Sequence, residues 1–129
     1  MNRLEGIIKD VKSVDGITQI FINIGDEILS SLILSGNEEY KKGEIVNLLF
    51  KETEVMIATK KSKVSARNSF VSKIADIQIG EILCCVEFLF GENKIVSIIT
   101  KGALEDLKCN IGDEFMWFVK SNEISIQRG

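Results

Sequence analysis

The chain has 129 residues, 45% hydrophobic and 27% charged, enough to bury a core without disulfide or metal staples. A net charge of -3 and a pI near 5.1 exclude the basic excess that binders of nucleic acid or anionic membranes carry. Neither half is polarised, with 9 basic against 10 acidic residues in 1–63 and 7 against 9 in 64–129, and no apolar run reaches the length of a membrane span.

Residues 1–6 lead straight into strand-like sequence with no signal-peptide core, so a cytoplasmic location is expected. Further on, Ile20, Ile22 and Ile24 alternate with other residues, as do Cys84, Val86, Phe88 and Phe90. A two-residue period marks a sheet with one buried face. Turn signals at Asp15-Gly16, Gly25-Asp26, Lys42-Gly43, Ile79-Gly80, Gly91-Glu92 and Ile111-Gly112 cut each half into about five short strands. Two stretches read as short helices, 35–40 and 101–107, each after the third strand of its half. Between the halves, Lys60-Lys61-Ser62-Lys63 reads as a solvated connector. Five strands with a short helix between the third and fourth is the element order of a small OB-like barrel. The fold expected is therefore all-β, two five-stranded OB-like barrels in tandem, each with one short helix.

The halves are copies. Phe50-Lys51-Glu52-Thr53-Glu54-Val55-Met56-Ile57 aligns with Val119-Lys120-Ser121-Asn122-Glu123-Ile124-Ser125-Ile126, and Asn2-Arg3-Leu4 aligns with Asn68-Ser69-Phe70. A period of about 66 residues fills the chain, giving a first module at 1–60 and a second at 64–129.

Catalytic and metal chemistry find little support. The chain has no His, no nucleophile paired with a base and no phosphate loop, so an enzyme is not expected. Cys84, Cys85 and Cys109 lack the paired spacing of a zinc or redox site; the vicinal pair in a strand points to opposite faces, and all three read as reduced thiols with no bound metal ion.

What stands out is a set of donors without a carboxylate. The second module opens with Val64-Ser65-Ala66-Arg67-Asn68 and later supplies Val119-Lys120-Ser121. Hydroxyls, a guanidinium and an ammonium suit a small, fully deprotonated oxyanion. Thr100 precedes Lys101-Gly102-Ala103, which reads as an ordinary capped helix start or as an anion site at unpaired first-turn N–H groups, with Gly102 admitting the ligand. The first module differs at each place. Glu38 would close a capping box over its helix start, Glu52 stands opposite Ser121, and only Met1 precedes Asn2, as though one copy were active and the other retired.

These residues resemble the Mop or TOBE modules that bind molybdate. The S-A-R-N start at 65–68 and the terminal K-S at 120–121 carry the resemblance over the whole second half, while the first half is similar to the divergent copy found in molybdate-responsive regulators. Two modules in tandem resemble the di-Mop molbindins. The resemblance implies paired OB-like barrels and oxyanion sites shared between neighbouring subunits of a homodimer or homotrimer. It carries ligand roles onto Ser65, Arg67, Thr100, Lys120 and Ser121, and onto the backbone N–H of Ala103, where the family often has a second serine.

The function expected is cytoplasmic binding of molybdate or tungstate for storage, buffering or sensing. Those two dianions are nearly the same size, and sequence leaves them unseparated. Hydrogen phosphate differs in presenting an O–H that a donor-only pocket leaves without an acceptor. The alternative is a detached regulatory module that reports oxyanion levels to a transporter ATPase or a transcription factor, with no direct role in nucleic-acid or membrane binding.

Overall fold

A computed structural model describes residues 1–34 and 39–128. Among these residues, ten strands form two five-stranded sheets. The first half contributes β1 (Asn2–Val14), β2 (Ile17–Ile24), β3 (Glu27–Leu34), β4 (Ile45–Phe50) and β5 (Met56–Ala58). The second contributes β6 (Asn68–Ile79), β7 (Leu83–Phe90), β8 (Asn93–Thr100), the helix α1 (Lys101–Leu107), β9 (Glu114–Val119) and β10 (Ser125–Arg128). The second-module helix lies where the sequence puts it. Residues 35–38, including the Glu38 capping box, lie outside the described residues, and Glu39 and Tyr40 are in irregular structure.

Local chemistry accounts for these elements. At the β1–β2 turn both Asp15 and Gly16 have positive φ (51° and 79°), the backbone of a tight hairpin whose twist matches its strands. The alternating isoleucines and Cys84, Val86, Phe88 and Phe90 all face the core, and Cys85 on the opposite face is only half-buried. The long strands β1 and β6 each carry an irregularity, between Ile8 and Asp10 and between Ile74 and Asp76. Each therefore pairs with the fourth strand of its sheet at one end and the second at the other, bending as it does so, which curls the sheet towards a barrel. Helix α1 stops where Lys108 adopts the left-handed conformation and its N–H returns to the Leu104 carbonyl at 3.0 Å.

Folded units and sequence repeats do not coincide. The sheet orders are β10-β4-β1-β2-β3 and β5-β9-β6-β7-β8, so each half gives its last strand to the other. One compact unit comprises Met1–Phe50 with Lys120–Gly129, and the other comprises Lys51–Val119. The boundaries expected from the repeat, 1–60 and 64–129, thus mark its copies but not the compact bodies. The reason is local: the two exchanged segments share one pattern, and either fits the edge of a fourth strand. In the first unit β10 pairs with β4, from Ser125 opposite Leu49 to Arg128 opposite Val46, while in the second β5 pairs with β9.

Equivalent anchors hold both exchanged segments. Ile124 and Val55 are buried at 3% and 1% exposure. Ser31 Oγ donates to the Ile124 carbonyl at 2.7 Å, and Ser97 Oγ donates to the Val55 carbonyl at 2.6 Å, tying the third strand of each sheet to the incoming segment. In the second unit Phe70, Phe90 and Trp117 form an aromatic cluster with centroids 4.9 to 5.2 Å apart, and Trp117 Nε1 donates to Ser72 Oγ. The first unit has Leu48 and Gly6 at the corresponding positions; a Cβ on Gly6 would lie 2.4 Å from Ile24 Cδ1 and 2.5 Å from the Asn23 carbonyl oxygen.

Candidate oxyanion site

The donor-rich start of the second module alternates strictly. Ser65 and Arg67 are exposed, whereas Ala66 and Asn68 are buried, Asn68 completely. Anchoring every second residue at the mouth of β6 turns the hydroxyl and the guanidinium outward. Arg67 Nη2 reaches its near neighbour, the Val64 carbonyl, at 3.5 Å, a long contact that leaves most of the guanidinium's donors available. Among the described residues no carboxylate pairs with Arg67.

Register places Val119 at this same end. Val119, the last residue of β9, pairs with Asn68, the first of β6, and Lys120 follows Val119 directly. The chain then crosses into the first unit. There Ser121–Glu123 forms a single 3-10 turn in which the Glu123 N–H donates to the Lys120 carbonyl and the Ile124 N–H to the Ser121 carbonyl. Those bonds occupy both carbonyls and leave the exposed Lys120 ammonium and the half-buried Ser121 hydroxyl as the functional groups. Ser121 Oγ lies 2.5 Å from Ser30 Oγ on β3.

Thr100 and Ala103 stand at the opposite end of β6. Thr100 pairs with Leu83 at the start of β7, immediately after the β6–β7 turn, where Ile79 pairs with Cys84. The 12 residues of β6 separate this place from Asn68, roughly 36 Å of strand contour. Thr100 is the N-cap of α1: its Oγ1 accepts the Ala103 N–H at 3.1 Å. That N–H, expected among the ligand donors, serves the cap, and by occupying a lone pair it leaves the Thr100 hydroxyl proton to donate outward. The Lys101 N–H donates to the Ile82 carbonyl at 2.8 Å, and a Cβ on Gly102 would meet nothing within 4 Å, so the helix start is open there.

The expected donors therefore fall into two groups. Ser65 and Arg67 share the mouth of β6 with the residue that Lys120 follows, and Thr100 with Ala103 occupies the far end. Asn68, whose amide the motif offers as a further donor, is completely buried and serves as an anchor of β6. The exchange also moves an acid: Glu52 belongs to the unit that contains Ser65, Arg67 and Thr100. A contrast between one active and one retired copy does not describe the folded units. In the first unit, moreover, Leu34 opposite Ile17 takes the place that Thr100 holds opposite Leu83. Among the described residues no group of three or more His, Cys, Asp or Glu is placed to hold a metal ion, and no helix is long and apolar enough to cross a membrane.

Two five-stranded OB-like sheets that exchange their last strands define the class of protein by its fold. Residues 64–126 match the TOBE domain. The chain is similar to the molybdenum transport protein ModE of Azotobacter vinelandii, 35% identical over 65 residues, which are 50% of this chain and 24% of that protein. The chain thus spans about a quarter of the length of that curated relative. Its fold is that of the cytoplasmic molybdate-binding protein ModG, solved with molybdate bound: the TM-score is 0.93 at 21% identity, covering 99% of this chain and 96% of that one.

Proposed function

We propose that the protein binds molybdate or tungstate through Ser65, Arg67, Thr100, Lys120 and Ser121, with Ala103 acting through its bond to Thr100, and serves intracellular storage, buffering or sensing of the oxyanion in the cytoplasm. The observation that carries this reading is the mouth of β6, where a motif of outward donors stands with no carboxylate paired to Arg67. Each charge-assisted hydrogen bond to a dianion contributes about 1.5–3 kcal/mol, so micromolar binding, about 8 kcal/mol net of ordering costs, needs all five side-chain donors rather than a few. The reading is supported by the likeness to a protein solved with molybdate and to a molybdenum transport protein.

Two donor groups at opposite ends of β6 cannot wrap one small anion within their own unit. A dianion stripped of water needs most of its oxygens satisfied. The site is accordingly completed by a neighbouring copy, which makes the working form a homodimer or homotrimer. Calorimetry on the full chain tests the assignment. Molybdate and tungstate bind with similar affinity, sulfate far more weakly and phosphate hardly at all; tight phosphate binding would overturn it. Arg67→Lys, which removes the planar fork but keeps the charge, weakens molybdate binding about tenfold or more. Sedimentation with and without molybdate tests the shared site: a strict monomer that binds one oxyanion with undiminished affinity refutes it.

A second reading, a detached module that reports oxyanion levels to a transporter or regulator, is supported by the likeness to a molybdenum transport protein. A protein partner retained from lysate in only one of the molybdate-loaded and molybdate-free states would favour it over storage.

A further inference from the structure

The exchange of β10 brings Ser121 to a residue of the first module that has no motif to advertise it. Ser30, on β3, is 4% exposed, and its Oγ lies 2.5 Å from Ser121 Oγ. The next residue, Ser31, holds the Ile124 carbonyl, so β3 grips the 3-10 turn at two successive positions. Of these two hydroxyl contacts only the second recurs in the other unit. Ser97 matches Ser31, but Val96 stands at the place of Ser30 and Glu52 at the place of Ser121. A contact needed merely to close the barrel would be expected in both units; the Ser30–Ser121 pair occurs only where the incoming turn carries a hydroxyl beside a lysine.

We infer that Ser30 is a positioning residue that orients the Ser121 hydroxyl for oxyanion binding. The inference rests on the oxyanion reading above. A hydroxyl has one proton and two lone pairs. Were Ser121 to donate to Ser30, it would offer a dianion only lone pairs. With Ser30 as the donor, the Ser121 proton is left to point outward, and the bond it receives strengthens the one it gives. The anion therefore selects the orientation in which Ser30 donates, and Ser30 affects affinity without touching the ligand.

A double-mutant cycle tests this by calorimetry with sodium molybdate on the full chain, with the thermal midpoint of each variant recorded. Ser121→Ala is expected to weaken binding about tenfold and Ser30→Ala about threefold to fivefold, the scale of a lost charged and a lost neutral hydrogen bond. Ser30→Ala/Ser121→Ala should bind like Ser121→Ala within about twofold, because Ser30 acts only through Ser121. Ser30→Thr, which keeps the hydroxyl, should restore affinity whatever its effect on the midpoint. Unchanged affinity in Ser30→Ala alongside a loss in Ser121→Ala overturns the inference, as does a double variant whose loss is the product of the two. If Ser121→Ala binds like the unmodified chain, the ligand role of Ser121 fails and this inference falls with it. If the unmodified chain binds no molybdate, the oxyanion reading itself has failed.

Discussion

Replacing Ile124 by alanine should loosen the half of the molecule in which Ile124 is not encoded. The side chain is buried at 3% exposure in the unit built on Met1–Phe50, although its codon lies in the second repeat. Ile→Ala removes three carbons, about 2.4 kcal/mol at ~0.8 kcal/mol per buried methylene, and the residual cavity raises the cost to roughly 2.5–4 kcal/mol. At 1.4 kcal/mol per decade this is a drop of roughly 60- to 700-fold in amide protection. Hydrogen exchange resolved by residue should register it in β1, β2 and β4. The reciprocal variant, Val55→Ala, removes two carbons and should cost about 2–3 kcal/mol, this time in β6, β7 and β9. Both losses would then appear crosswise to the sequence repeat. Deprotection of β6 to β9 by Ile124→Ala, or equal loss across the chain, would refute the exchanged topology or the separate opening of the two units.

Lys120→Ala should reduce molybdate affinity strongly in calorimetry and Lys51→Ala hardly at all, because Lys120 follows the partner of Asn68 and precedes the Ser121 hydroxyl, whereas Lys51 precedes the carboxylate of Glu52; equal losses would mean that both lysines are ligands. Gly6→Ala should destabilise the first unit by more than about 2 kcal/mol in denaturant unfolding, since its Cβ would sit 2.5 Å from a backbone oxygen that cannot move aside cheaply. The C-terminal strand should fray in acid. Arg128 donates to Glu44 at 2.5 Å, also bonds the Glu39 carbonyl and lies over the Tyr40 ring, and its hydrogen bond holds the Glu44 carboxyl below the usual range. A carboxyl with a depressed folded pKa contributes stability above its unfolded value and loses it as pH falls through the folded one. Amides of 125–128 should therefore keep their protection at neutral pH and lose it in acid as the pH falls through the lowered folded value of Glu44, and protection unchanged in fully protonating acid would show that the clasp does not hold β10.

Much of the architecture was legible because it is written in short-range patterns. Two-residue alternation at Ile20, Ile22 and Ile24 and from Cys84 to Phe90 follows from sheet geometry, and the glycine turns follow from backbone sterics, so strands, hairpins and the repeat could be read without coordinates. Thr100 before Lys101-Gly102 announced a capped helix in the same way, and the outward facing of Ser65 and Arg67 is again a matter of alternation. The pairing of the exchanged strands was not legible. Phe50–Ile57 and Val119–Ile126 present the same lysine, glutamate and apolar anchors, so each satisfies either acceptor edge equally well as far as its own residues go. Only the folded chain decides that β10 lies on β4 and β5 on β9, and with that choice it places Ser121 against Ser30, sets Glu52 in the unit of Arg67, and separates Thr100 from the mouth of β6 by the length of one strand. Local periodicity is a property of neighbouring residues, whereas which of two equivalent segments fills an edge is settled by contacts some ninety positions apart.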